Sequence, residues 1–134
     1  WVPGFYQFEY AKNLGFKNHE IIYNLYCGDF KKFFVSNKKK DFSSIKTLLF
    51  VGRLEKVKGL NLLLKAWLSI KDKKNWKLKI IGNGSLIESI PKDELSIEHI
   101  KFLEPEKLSS EMNASHAFIL PSTFEPFAVV VHEN

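Results

Sequence analysis

Three short, mostly apolar runs end abruptly at Gly or Pro: Lys46–Val51 (KTLLFV), residues 78–81 (LKII) and residues 117–120 (AFIL). Between the first two, Leu60, Leu63, Leu64, Trp67 and Leu68 recur at the spacing of one helix face. Strands apolar on both faces that alternate with one-sided helices predict a parallel sheet covered on both sides. The fold class that follows is α/β: a doubly wound, Rossmann-like sheet in three α/β/α layers. In such sheets ligands sit at the carboxyl ends of the strands, near a reversal of strand order. The loops after Val51, Ile81, Leu103 and Leu120 are therefore the ones to inspect.

The rest of the chain fits the same alternation. Phe5–Asn13 reads as a short helix closed by Gly15, and residues 21–25 as a strand. A weaker strand is expected over residues 100–103. Pro105 opens a short helix with Leu108 and Met112 on one face, and a last helix begins at Pro126 and is still running at Asn134. The 134 residues amount to one domain, residues 1–134, with residues 1–18 read as a linker and helix from a preceding domain. The chain starts without Met, and its final helix has neither a cap nor a return strand. It therefore reads as a piece of a longer protein, truncated at its C-terminal end.

Composition narrows the function classes. An apolar fraction of 45% with 14% aromatics belongs to a folded protein, and no apolar stretch is long enough to span a bilayer. The single Cys27 excludes an internal disulfide and fits a reducing compartment. His19, His99 and His116 lack metal-ligand spacing, and His132 lies inside the last helix, so no metal site is expected. The net charge of +5 admits nucleic acid, an anionic membrane or a phosphorylated ligand. Lys38–Lys40 form a solvated loop, and the aromatics are not interleaved as in single-strand binders, so nucleic acid is not the expected partner. Of the 20 basic residues only Arg53 is Arg. An Arg kept in so Lys-rich a chain points to a site that needs its planar, bidentate fork.

Three constellations carry chemistry. In the first, Gly52 permits a close backbone turn, and Arg53 and Lys58 flank a helix entrance where two cations and free N–H groups could hold a diphosphate. Surface charge at a helix start is the plain alternative. The second, Gly82-Asn83-Gly84, is a turn after a strand that would let a nucleotide approach the backbone. The third runs from Pro121 to Glu133. Pro126 suits the first turn of a helix and sets Glu125 at its mouth, where the dipole favours an ionised carboxylate. Glu133 lies eight residues on, roughly 12 Å along the axis. That is too far for the two carboxylates to flank one glycosidic bond, but close enough to hold two ends of a long ligand. The N–H groups of Phe127, Ala128 and Val129 fall in the first turn, free for phosphate. Phe127, Val130 and Val131 would also make a core stripe.

The PS…EPF…VVxE-like stretch, with Glu125 and Glu133 separated by seven residues, resembles the signature of retaining glycosyltransferases of family 4 (glycosyl transferases group 1) with the GT-B fold. FVGRLEKVKGLNLLLKAW is similar to that family's Gly-Arg…Lys-Gly segment, LKIIGNGSL to its next strand and loop, and YAKNLGFKNHEIIYNLYCGDFKKF to the entry into the C-terminal domain. The resemblance implies a donor-binding domain for a nucleoside diphosphate sugar, UDP- or GDP-linked. It implies Arg53, Lys58 and Glu125 as catalytic residues: the two cations on the diphosphate, the carboxylate beside the donor hexose. Glu133 would bind the ribose hydroxyls, and Pro126, Phe127, Ala128 and Val129 the phosphate and sugar. Gly52, Gly82, Asn83, Gly84, Phe102 and Leu103 would lie along the nucleotide. No cofactor or metal is implied for the chemical step, since Arg, Lys and a helix N-terminus supply the positive charge. The acceptor, a glycan or lipid-linked molecule, would bind through an N-terminal domain. The resemblance also implies bacterial surface-polysaccharide assembly and a cytoplasmic location, with peripheral attachment to the inner membrane face left open. This stretch alone is expected to be inactive. Ala128 stands where the family usually has Gly, which leaves the donor unnamed and keeps open a non-catalytic nucleotide-binding or interaction module of the same fold.

Overall fold

The computed structural model describes residues 1–23, 33, 41, 43–125 and 130. Helix α1 spans Phe5–Asn13, as its pattern predicts. Gly15 closes it at φ 98°, with Gly15 N–H donating to Lys12 O at 2.9 Å and Phe16 N–H to Ala11 O at 3.2 Å. The strand expected over residues 21–25 is not found where the structure describes it. Among the described residues, Tyr23 makes an isolated parallel bridge to Val2; residues 24 and 25 fall outside them.

The sheet comprises β1 (Lys46–Val51), β2 (Trp76–Ile81), β3 (Ile97–Ile100) and β4 (Ala117–Phe118), all parallel, in the order β3-β2-β1-β4. Helix α2 (Leu60–Ser69) connects β1 to β2, and α3 (Pro105–Ala114) connects β3 to β4. Strand order therefore runs outward from β1 to β3 and then returns to the far side of β1. The reversal lies between β1 and β4. The doubly wound α/β/α arrangement predicted from the alternation is present.

Alternation along the strands sorts the core into two layers. On one face Phe50, Leu78 and Ile80 pack with Leu54, Leu60, Leu63, Leu64 and Trp67 beneath α2. On the other, Leu49, Val51 and Ile81 meet Met112, with Leu108, Phe118 and Val130 around them. Two expectations are corrected. Leu68, counted in the α2 stripe, is 46% exposed, because it sits about 80° around the axis from Leu60. The weak strand lies at Ile97–Ile100 rather than over residues 100–103, paired in register with Leu78 to Ile81. β4 is shorter than its apolar run: Ile119 N–H adds one bond to Leu49 O at 2.8 Å, and Pro121 has no N–H with which to continue. Among the described residues no helix is long and apolar enough to cross a membrane.

Candidate functional site

The loops after β1, β2 and β4 emerge on the same side of the sheet, and backbone bonds stitch them together. Gly52 N–H donates to Ile81 O at 3.0 Å, Leu54 N–H to Asn83 O at 2.9 Å and Leu86 N–H to Leu54 O at 2.9 Å. Glycine is required where these loops touch. A Cβ on Gly82 would overlap the carbonyl oxygen of Gly52, and one on Gly59, in the left-handed region at φ 74°, would overlap the carbonyl oxygen of Pro121. Glu55 takes both the N–H and the hydroxyl of Ser85, at 3.1 and 2.7 Å. Those two bonds, the hydroxyl's foremost, hold its carboxyl below the ordinary 4.5. On the other side, Thr123 sends its N–H and its hydroxyl to Val57 O, at 2.9 and 3.2 Å.

The stitched loops frame a cleft of about 530 Å³ at the carboxyl ends of β1, β2 and β3. Gly52, Gly82, Asn83, Phe102 and Leu103, five of the six residues expected along the nucleotide, line it together with Arg53. Its walls are mostly apolar, which suits a flat base, and Phe102 is 71% exposed at the rim. Arg53 is exposed; its carbonyl accepts the Glu55 N–H at 2.9 Å, but its side chain makes no hydrogen bond or ion pair among the described residues, so its guanidinium is available to an anion. Gly84 does not line this cleft: its N–H is held by Asn83 Oδ1 at 2.9 Å and its backbone packs on Leu54. Lys101, the first residue after β3, also lines it and has no role in the sequence reading.

Lys58 and Glu125 meet at the strand-order reversal. Lys58 ends a 3₁₀ turn, Lys56–Lys58, ahead of α2. Its ammonium lies 2.5 Å from Glu125 Oε2, with side chains only 18% and 20% exposed. Ser122 Oγ donates to the same oxygen at 3.1 Å. The Lys58 hydrogen bond foremost, against a smaller opposing effect of burial, holds the Glu125 carboxyl below its ordinary 4.5; Ser122 and the charges of Lys58 and Arg53 add to it. Residues 67 apart in sequence are thus joined within reach of Arg53's field. Ser122 belongs to the Pro-Ser of the family-like stretch but has no role assigned to it in the sequence reading. Pro126, Phe127, Ala128, Val129 and Glu133, like Cys27 and His132, lie outside the described residues.

Known proteins share the fold. Residues 31–134 match the family described as Glycosyl transferases group 1. An uncharacterized glycosyltransferase of Methanocaldococcus jannaschii is 31% identical over 94 residues, which cover 66% of this chain and 24% of that protein. Among solved structures, the sucrose-phosphate synthase of Thermosynechococcus elongatus superposes with a TM-score of 0.72 at 21% identity, over 98% of this chain and 37% of its own. The lipopolysaccharide outer core galactosyltransferase WaaB in its apo form gives a TM-score of 0.64 at 20% identity, over 92% of this chain and 36% of its own. The chain thus spans between about a quarter and just over a third of the proteins it matches. At such identities the structural likeness carries the fold alone, whereas the family match covers most of the chain. The chain belongs to the glycosyl transferases group 1 family.

Proposed function

We propose that this chain forms the donor-binding face of a glycosyltransferase that moves a hexose, with retention of configuration, from a nucleoside diphosphate sugar to a glycan or lipid-linked acceptor. The observation that carries the reading is the meeting of an exposed Arg53, a mostly apolar cleft and the Lys58–Glu125 pair around the reversal of strand order. The base lies in the cleft toward Phe102 and Leu103. The diphosphate reaches back to Arg53, whose fork suits two phosphate oxygens. Lys58 has three donors, so its ammonium can meet the diphosphate without releasing Glu125. That leaves the carboxylate beside the hexose. As the glycosidic bond breaks, charge grows on the departing phosphate oxygen, and these two cations offset it.

Calorimetric titration with UDP, GDP and ADP tests the reading. One nucleotide binds in the micromolar-to-millimolar range. Arg53→Ala weakens it at least about tenfold, in line with the roughly 1.5–3 kcal/mol of a hydrogen bond to a charged group. Equal affinity in Arg53→Ala would refute this placement of the diphosphate. Because Arg53 and Lys58 supply the positive charge, turnover by the whole protein persists in excess chelator; its loss, restored by a divalent ion, would contradict that assignment.

A further inference from the structure

The two oxygens of Glu125 are in different situations. Oε2 takes both available donors, Lys58 Nζ and Ser122 Oγ, whereas Oε1 accepts no hydrogen bond among the described residues. The residues flanking Ser122 are fixed: the Pro121 carbonyl packs against Gly59, and Thr123 is tied twice to Val57 O. The Ser122 hydroxyl is therefore presented from a braced backbone, and a second donor on Oε2 limits how the carboxylate can turn about its last torsion. A Lys58 contact alone would leave that rotation open, because an ammonium bonds equally well to either oxygen.

We infer that Ser122 is a positioning residue which, with Lys58, occupies Oε2 and turns Oε1 outward as the acceptor for a hydroxyl of the donor sugar. This deepens the donor-site reading and rests on it. It also restricts the ligand's chemical class. An ionised oxygen with open lone pairs receives a hydroxyl proton and repels another carboxylate, so the site takes a neutral hexose in preference to a uronic acid.

The test compares UDP with UDP-glucose and UDP-glucuronate, GDP with GDP-mannose, and ADP with ADP-glucose, each titrated into the protein and its variants. The readout is the ratio of the sugar nucleotide's affinity to that of its parent nucleotide. Ser122→Ala lowers this ratio for the neutral hexose at least threefold and leaves the parent nucleotide within twofold. Ser122→Thr, which keeps the hydroxyl, restores it. Glu125→Gln lowers the ratio as well, and adding Ser122→Ala to it lowers it no further, because the two act through one carboxylate. An unchanged ratio in Ser122→Ala overturns the inference, as does an equal loss for nucleotide and sugar nucleotide, or better binding of the glucuronate than of the glucose compound. Absence of nucleotide binding by the unaltered protein would sink the donor-site reading, and this inference with it; a melting curve for each variant separates loss of fold from loss of contact.

Discussion

At the scale of single residues, the site depends on backbone surfaces that tolerate no side chain. Gly82 faces the carbonyl of Gly52, whose own N–H is committed to Ile81, so neither partner can retreat. Gly82→Ala is expected to cost about 2 kcal/mol or more, read as a lower urea midpoint at unchanged slope. From sequence, Gly82-Asn83-Gly84 shows only that the chain turns. That its glycines seat one loop against another depends on register, which local pattern does not carry. Arg53, Lys58 and Glu125 could be picked out as a set because charge and motif spacing are local properties. Ser122 and Lys101 could not, since nothing in the local pattern shows which way either side chain faces. The pair also sets a pH response. Glu125 titrates below its ordinary 4.5 chiefly through Lys58, so the stabilisation it gives is present above that value and lost as pH falls through the lowered one. Lys58→Met is thus less stable than the parent at neutral pH. Chemical denaturation repeated down the pH scale should show that gap closing below about pH 4.5.

At the scale of elements, helices were easier to read than strands. The bounds of α1 and the burial of Leu60, Leu63, Leu64 and Trp67 follow from helical period and from Gly15 and Gly59 as punctuation. β3 was misplaced by three residues because residues 100–103 are the more apolar run. β3 pairs with β2 alone among the described residues, and on such a flank the half-polar Ile97-Glu98-His99-Ile100 suffices. Lys79 shows a polar link that no apolar pattern predicts. It stands on β2 with its ammonium 2.7 Å from Glu111 of α3 and 3.5 Å from Glu98 of β3, so one cation joins two strands and a helix. Burial opposes its charge, but Glu111 and then Glu98 more than offset that and raise it above 10.5. A raised lysine contributes fully below its unfolded value and loses that contribution as pH climbs through the folded one. Glu111→Ala should therefore cost about 1–2 kcal/mol at neutral pH, with the difference from the parent shrinking above roughly pH 10.5 in alkaline denaturation.

At the scale of the whole molecule, the alternation of apolar runs and one-sided helices predicts a parallel, doubly covered sheet, but not its strand order. The order β3-β2-β1-β4 depends on which side of β1 the chain returns to after α3, a long-range choice with no local signature. That choice creates the site, because it brings the loop holding Glu125 against the loop holding Lys58. Three loops are bonded to one another through Leu54 to Asn83, Ser85 to Glu55 and Thr123 to Val57. A nucleotide entering a frame of this kind has little to order, so its effect on stability should follow mass action. At a free nucleotide concentration of 100 times Kd, unfolding becomes harder by about 2.7 kcal/mol. For a domain of this size that is a rise in melting temperature on the order of 10 °C. Arg53→Ala with tenfold weaker binding, held at the same concentration, should gain only about 1.4 kcal/mol and roughly half the shift. Differential scanning calorimetry across a nucleotide series measures both. A shift in Arg53→Ala as large as in the parent would mean that the nucleotide stabilises the fold from somewhere other than the mouth of β1.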